Sequence, residues 1–125
     1  MQLQKLRYLL INDNRFSGAI PEDIGNMNSL KVFQASANEL SGPIPASICR
    51  LHNLKLFQAS RNRLGGEIPT LIGQLHQLQA FGVDNNQING IIPVGIGQCT
   101  ELLALNLANN GLSGTRIVQL YCRRV

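Results

Sequence analysis

Large apolar residues recur along the chain at a fixed interval of 24 residues. Leucine opens each of five successive units, and positions within a unit are numbered here from 1 to 24, starting at that leucine. Position 4 is always Leu or Phe, position 9 is always Asn, and position 13 is always Gly. A repeat of this length predicts a solenoid in which each unit is one coil stacked on its neighbours. The five units begin at Leu6, Leu30, Leu54, Leu78 and Leu102.

The first third of each unit has the pattern of a short strand. Apolar residues at positions 4 and 6 alternate with polar or small residues at positions 5 and 7. This period of two is typical of a strand with one buried face. Equivalent strands of neighbouring units are therefore predicted to pair in parallel, about 4.8 Å apart, in one continuous sheet.

The middle of each unit has the residues of a turn and an extended return. The amide of the position-9 Asn can donate to and accept from backbone groups that a turn leaves unpaired, so we expect a ladder of stacked asparagines. The position-13 Gly tolerates backbone angles that a side chain would obstruct. In four units an Ile-Pro pair follows, and its proline keeps the return extended. The predicted ladder consists of Asn14, Asn38, Asn62, Asn86 and Asn110.

The repeats resemble the plant-specific class of leucine-rich repeat. The resemblance is carried by segments such as LKVFQASANELSGPIPASICRLHN and LQAFGVDNNQINGIIPVGIGQCTE, which start at Leu30 and Leu78. It implies a leucine-rich-repeat solenoid of the α/β class, a horseshoe superhelix with a parallel concave sheet, extended or 3-10 returns on the convex side, and a lateral strand near the Ser-Gly segment. Such repeats occur in plant receptor-like kinases, receptor-like proteins and polygalacturonase inhibitors. In that family the concave surface binds peptides, steroids or partner ectodomains.

Two departures from the family pattern bear on the domain limits. The paired-cysteine caps and Asn-x-Ser/Thr glycosylation sites of such ectodomains are absent, from which we expect a fragment of a longer protein. The repeat pattern also ends at Gly114, after which the segment TRIVQLYCRRV has no match to it. We therefore expect a solenoid over residues 1–114 and an aberrant tail over 115–125. Because uncovered solenoid ends expose apolar surface and a sheet edge, we also expect the chain to be marginally stable and to associate.

The candidate binding residues lie at positions 2, 3, 5, 7 and 8, which packing leaves free on the predicted concave surface. Lys31 and Lys55 stack there and could hold a ligand carboxylate or sulfate. Gln34 and Gln58 stack in the same way and could bond the backbone of an extended peptide. Repeat duplication alone also explains both pairs, as a solvated polar ladder. The predicted ligand-binding residues are Tyr8, Asn12, Lys31, Gln34, Ser36, Lys55, Gln58, Ser60, Arg61 and Asp84.

Composition, charge and cysteine content exclude several classes of function. Hydrophobic residues make up 44% of the chain and charged residues 14%, which predicts a folded chain. The net charge of +4 comes largely from three arginines in the last ten residues, and the rest of the chain has no basic cluster, so we expect no nucleic-acid binding. There is no apolar run of about 18 residues to span a membrane, and no secretion signal. The three cysteines match no metal or disulfide pattern, and Cys99 occupies an apolar position, where we expect it to be buried.

We find no catalytic triad, carboxylate pair or phosphate loop, and no kinase motif, so we expect neither an enzyme nor a cofactor or metal site. The first hypothesis is a protein- or peptide-binding module from the extracellular domain of a plant receptor-like kinase. It would act in signal perception on the outer side of the plasma membrane, with a peptide or protein ligand and a co-receptor ectodomain as partners. Two alternatives stay open: a soluble inhibitor of a cell-wall-degrading glycosidase, and a non-functional gene fragment.

Overall fold

The computed structural model describes residues 2–113, which form successive coils of one solenoid. The first strand of every coil belongs to a single sheet of five parallel strands in chain order, which we call the main sheet. This confirms the predicted fold class. Gly114 and the tail over 115–125 lie outside the described residues. The strands are β1 Tyr8–Leu10, β2 Ser17–Ala19, β3 Val32–Gln34, β4 Glu39–Pro43, β5 Leu56–Gln58, β6 Arg63–Gly65, β7 Ala80–Gly82, β8 Asn89–Ile91, β9 Ala104–Asn106 and β10 Gly111–Ser113.

The main sheet contains β1, β3, β5, β7 and β9, and its register follows the repeat. Phe33 pairs with Phe57, and Phe57 with Phe81, so equivalent positions lie side by side. Position 4 points into the core, where the rings of Phe33 and Phe57 stack with centroids 4.9 Å apart, and those of Phe57 and Phe81 at 5.3 Å. Stacked aromatic side chains fill the space between coils and add to the stability from burial.

Lateral strands follow the turn in each coil. They form a three-stranded sheet, β2-β4-β6, and a two-stranded sheet, β8-β10. Backbone hydrogen bonds from Gln87 N to Leu64 O (2.7 Å) and from Asn89 N to Gly66 O (2.9 Å) join the two. The lateral strand implied by the family resemblance is therefore present in all five coils.

The asparagine ladder is confirmed, and each of its members from Asn38 onward connects two coils. Asn62 Nδ2 donates to the carbonyl oxygens of Ala59 (3.2 Å) and Ser60 (3.2 Å) in its own coil and of Ala35 (2.9 Å) in the preceding one. Its Oδ1 accepts the backbone N–H of Leu40 at 3.0 Å. The amide thus satisfies the N–H of Leu40 and adds a second hydrogen bond to each of the three carbonyl oxygens.

The convex returns are short 3-10 helices that begin after the prolines. Pro21, Pro45 and Pro93 have extended backbone angles, and a 3-10 helix starts at the next residue in each case. The proline therefore delays helix formation until the chain has left the lateral strand, as expected from its fixed φ and missing N–H. The 3-10 helices are η1 Gln2–Lys5, η2 Glu22–Asn26, η3 Ala46–Arg50, η4 Thr70–Gln74 and η5 Val94–Gln98.

The core is a single cluster of aliphatic, Phe and Cys side chains that runs through all coils. Phe16, at position 11, is 49% exposed, although the equivalent residues of the next three coils are buried. It lines an apolar cavity of about 500 Å³ at the N-terminal end of the core, together with Leu6 and Leu9. The cause is physical, because the side chains of the first coil have a neighbouring coil on one side only.

Candidate ligand-binding surface

The outward side chains of the main sheet, at positions 2, 3, 5, 7 and 8, form the candidate surface, which we call the concave surface. A recurrent shared hydrogen bond lies beside its first column. Arg7 O accepts the backbone N–H groups of both Lys31 (2.8 Å) and Val32 (3.0 Å), and Lys31 O accepts those of Lys55 (2.8 Å) and Leu56 (3.1 Å). This acceptor stands at the start of each strand, where equivalent positions of neighbouring coils pair one to one.

The register of the repeat places three cations in one column. Arg7, Lys31 and Lys55 occupy position 2 of neighbouring coils, and these shared hydrogen bonds hold their backbones side by side. Arg7 is exposed, whereas Lys31 and Lys55 are half-buried. Within residues 2–113 the single ion pair joins Arg63 to Glu39 (3.9 Å), on the lateral sheet. The three cations of the column therefore have no carboxylate within 4.0 Å in the described part of the chain.

The two glutamines of position 5 lie side by side, as predicted. Gln34 pairs with Gln58 in the register of β3 and β5. Gln34 Oε1 accepts from Asn12 Nδ2 (3.4 Å), and Gln58 Oε1 lies 3.5 Å from Ser60 Oγ, which donates its single proton to Asp84. Neither Nε2 has a hydrogen-bond partner within residues 2–113, which leaves the two N–H donors of each amide for a ligand acceptor.

Position 7 forms a continuous hydrogen-bonded line across four coils. Ser36 N donates to Asn12 Oδ1 (2.7 Å), and Ser60 N donates to Ser36 Oγ (3.0 Å). Ser60 Oγ then donates to Asp84 Oδ1, and Asn85 Nδ2 donates to Asp84 Oδ2 at 3.0 Å. These four predicted site residues are brought together, and their bonds hold each side chain in one orientation.

Arg61, the predicted site residue at position 8, has a left-handed backbone conformation. Its φ of 54° is in the left-handed region, and the residue is exposed where the chain turns out of the strand. The same conformation occurs at every position 8, although none of these residues is glycine. The full set is Asp13 (58°), Ala37 (58°), Arg61 (54°), Asn85 (59°) and Asn109 (57°).

The bulk of the concave surface decreases along the solenoid. At position 3 the side chains are Tyr8, Val32, Leu56, Ala80 and Ala104, and Tyr8 is 57% exposed. At position 5 the sequence changes from Gln58 to Gly82, whose backbone is covered by the Gln58 side chain. The side chains at these two positions are therefore larger over the first three coils than over the last two.

Three contributors were missed by sequence reasoning. Arg7 extends the lysine column, Gly82 receives the Gln58 side chain, and Asn85 orients Asp84. For Arg7 a signal existed, because it shares position 2 with both lysines. For the other two, the relevant contacts are between different positions of neighbouring coils, which a reading along one column does not reveal.

Other reactive side chains lie away from the concave surface. Cys49 and Cys99 are buried, and burial raises the pKa of both thiols to about 11. His52 and His76 are exposed on the convex side. No helix in residues 2–113 is long and apolar enough to cross a membrane. Over that same range, no three His, Cys, Asp or Glu side chains cluster in a way that could hold a metal ion.

Comparison with known proteins supports this architecture. A family profile described as Leucine Rich Repeat matches residues 5–27. Among curated protein sequences, none matches the chain significantly.

Solved structures of plant receptors match most of the chain. The ectodomain of the Arabidopsis thaliana receptor kinase GASSHO1/SCHENGEN3, in complex with CASPARIAN STRIP INTEGRITY FACTOR 2, is 43% identical over 88% of this chain, with a TM-score of 0.86. The plant peptide hormone receptor RGFR1, in complex with RGF2, is 34% identical over 89%, with a TM-score of 0.87. The Arabidopsis receptor kinase HAESA, in complex with the peptide hormone IDA and the co-receptor SERK1, is 36% identical over 87%, with a TM-score of 0.86.

The chain is thus a leucine-rich repeat protein, as the repeat geometry and these likenesses together establish. Its repeats are of the kind that builds the ectodomains of plant receptor kinases. The described residues span only 13% of the GASSHO1/SCHENGEN3 chain and 18% of each of the other two. The similar structures are receptor ectodomains in complex with their ligands, which agrees with the prediction that this chain is a binding module.

Proposed function

We propose that the chain is a peptide-binding leucine-rich repeat module whose ligand lies across the concave surface in an extended conformation. The observation that carries this proposal is the set of outward polar side chains that are oriented but not saturated. The amide nitrogens of Gln34 and Gln58 keep their donors, while the hydrogen-bonded line from Asn12 to Asp84 holds the neighbouring side chains in place. Such preorganisation lowers the entropy cost of binding, because the side chains are already ordered.

The peptide class of the ligand is supported by the relatives and by the surface itself. The peptide hormone receptor RGFR1 is in complex with RGF2, and HAESA is in complex with the peptide hormone IDA and the co-receptor SERK1. The concave surface extends across all five strands of the main sheet, roughly 20 Å from β1 to β9. An extended peptide suits it, since its backbone offers carbonyl acceptors at regular intervals to the glutamine amides.

The wider role we propose is signal perception as part of the extracellular domain of a plant receptor-like kinase. In that role the module acts on the outer side of the plasma membrane, and a co-receptor ectodomain is its second partner. Full-length transcript sequencing across both ends of the reading frame tests this role. We expect further repeats, a membrane span and kinase motifs, and a transcript without a span or kinase motifs would contradict it.

The peptide proposal is tested by selecting linear peptides from a displayed random library against the folded chain. We expect selected peptides to lose at least about tenfold in affinity for a Gln34→Ala/Gln58→Ala variant, since two hydrogen-bonding side chains are removed. The matched control is His52→Ala/His76→Ala on the convex side, for which affinity is expected to stay within about twofold. Failure to select any peptide, or equal losses in both variants, would count against the concave surface as the binding site.

A further inference from the structure

The column of Arg7, Lys31 and Lys55 carries three positive charges that no carboxylate of residues 2–113 neutralises. Cross-strand neighbours of like charge destabilise a sheet, and these three lie on adjacent strands in one register. A carboxylate at position 2 of a following coil would relieve the repulsion, but the last two coils have Gln79 and Leu103 at this position. The arrangement therefore lowers stability unless an anion from outside the described residues completes it.

The carboxylates of the described residues are engaged or placed elsewhere. Glu39 pairs with Arg63, and Asp84 accepts hydrogen bonds from Ser60 and Asn85. The side chain of Glu67 lies over Gly90 on the lateral side. None of the acids comes within 4.0 Å of the column in the part of the chain that the structure covers. The remaining acids there are Asp13, Glu22, Asp23 and Glu101.

The lysines are partly held in place by their surroundings. Lys31 and Lys55 are half-buried, and each is followed by a half-buried aliphatic residue, Val32 or Leu56. Long lysine stems pack along apolar surface while the ammonium stays in water. A stem that is partly packed loses less conformational entropy when its ammonium binds an anion, which favours a preformed site over a solvated charge.

We propose that this column binds an acidic segment of the peptide ligand, with a carboxylate or sulfate at Lys31, between the charges of Arg7 and Lys55. The inference rests on the proposed function and specifies its ligand. Because strands are about 4.8 Å apart, the three cations span about 10 Å. That length matches two anionic groups within about three residues of an extended peptide, which rises about 3.3 Å per residue.

The test uses the same displayed library and a pair of charge-reversed variants. Lys31→Glu/Lys55→Glu and Arg15→Glu/Arg50→Glu each replace two positive charges by two negative ones, so both lower the net charge from +4 to 0. Arg15 and Arg50 are exposed and lie outside the concave surface. Equal net charge separates a local site from general electrostatic attraction, and thermal unfolding of both variants verifies that they fold.

We expect selected peptides to be enriched in paired Asp or Glu and to bind Lys31→Glu/Lys55→Glu at least about tenfold more weakly, while the control changes by less than about threefold. Replacing the acids of a selected peptide by lysine is expected to restore its affinity for the doubly reversed variant, because the charges are exchanged. Affinity for the native chain should fall with added salt. Rescue by exchanged charges is a result that a purely structural role of the lysines does not produce.

Separate binding measurements identify the anionic group and the kind of molecule that carries it. Matched peptides with carboxylate, amide or sulfate groups compare the two anions directly, and polygalacturonate tests an acidic polysaccharide in place of a peptide. Selected peptides without acids, unaffected by the lysine changes, would overturn this inference and leave the proposed function standing. If no peptide is selected at all, the proposed function fails and the inference with it. Binding of polygalacturonate alone, lost in the lysine variant, would reject a peptide as the occupant.

Discussion

The carboxamide of Gln58 lies over Gly82, on the neighbouring strand of the main sheet. A Cβ atom added to Gly82 would be 2.8 Å from Cδ and 2.9 Å from Nε2 of Gln58, well inside van der Waals contact. Both residues occupy position 5 of their coils, and Gly82 is buried by this contact. Because Gly82 has no side chain, the amide of Gln58 can lie over it, in the middle of the proposed binding surface.

The first prediction concerns Gly82→Ala. The added methyl displaces the end of a flexible side chain, so we expect the chain to fold and its stability to stay equal or rise by up to about 1 kcal/mol. Because Gln58 loses its position, the affinity for selected peptides is expected to fall about fivefold, the equivalent of one hydrogen bond. Calorimetric titration and thermal unfolding measure the two effects.

Gly65→Ala is the matched control for that substitution. Gly65 lies on a lateral strand, and the nearest atom to an added Cβ is Gln87 O at 3.9 Å, which is ordinary contact. We expect unchanged peptide affinity in this variant. Equal affinities in Gly82→Ala and Gly65→Ala would mean that the position of Gln58 is irrelevant to binding.

The second prediction compares two members of the asparagine ladder. Asn62→Ala leaves the N–H of Leu40 without its partner and removes one of the two donors to the carbonyl oxygens of Ala35, Ala59 and Ser60, at a partly buried site. We expect a loss of about 2 kcal/mol in the free energy of unfolding, since an unsatisfied buried polar group costs about 1 to 3 kcal/mol. Urea titration measures the loss.

Asn14→Ala provides the comparison at the first coil. Asn14 is exposed, and its amide bonds only the carbonyl oxygens of Ile11 and Asn12. Water can replace these bonds, so we expect a loss below about 1 kcal/mol. Similar losses for both asparagines would show that bonds between coils contribute little to the ladder.

The parts of the fold that the sequence predicts are those in which one residue type serves one local need in every coil. Asn62 and its equivalents from Asn38 onward make the same four hydrogen bonds in every turn, and asparagine therefore recurs there. The left-handed conformation at position 8 was not predictable in this way. Ala37 and Arg61 give no glycine signal there, so the conformation is imposed by the strand on one side and the Asn turn on the other.

The candidate site was predictable as a set of stacked pairs but not as a network. Lys31 and Lys55 follow from one column, and the observed register brings them together. The contact of Gln58 with Gly82 and the bond of Ser60 with Asp84 depend on side-chain rotamers, which a repeat pattern does not specify. Phe16 is exposed although its equivalents are buried, since among the described residues the first coil has a neighbouring coil on one side only.

The third prediction follows from the left-handed position 8. Ala37 has a φ of 58°, a conformation that costs an L-residue about 1 to 2 kcal/mol. Ala37→Gly removes this strain but adds chain entropy to the unfolded state, so we expect a net gain of about 0.5 kcal/mol. Ala35→Gly, two residues earlier at a fully buried site without positive φ, is expected to lose about 1 to 2 kcal/mol instead. Opposite signs in chemical denaturation are the decisive result, and a loss in both variants would contradict the strain at position 8.

The fourth prediction concerns the buried thiols and high pH. Burial raises the pKa of Cys49 and Cys99 from 9.0 to about 11, and for Cys49 the nearby Cys99 adds to the effect. Below pH 9 the thiols are neutral in both folded and unfolded chains, so their contribution to stability is complete. Between pH 9 and 11 the unfolded chain releases these protons while the folded chain holds them, so the free energy of unfolding is expected to fall as pH rises.

A Cys49→Ala/Cys99→Ala variant isolates this effect, since it lacks both thiols and should lose less stability between pH 8 and 10.5 than the parent chain. Comparison is made in a Cys122→Ser background, so that no thiol outside the described residues titrates. In that background both thiols should also resist alkylation at pH 8 until the chain is unfolded, because the thiolate is the reactive form and burial disfavours it. Rapid alkylation of the folded chain at pH 8, or equal losses of stability in the two chains, would contradict the burial of these cysteines between the coils.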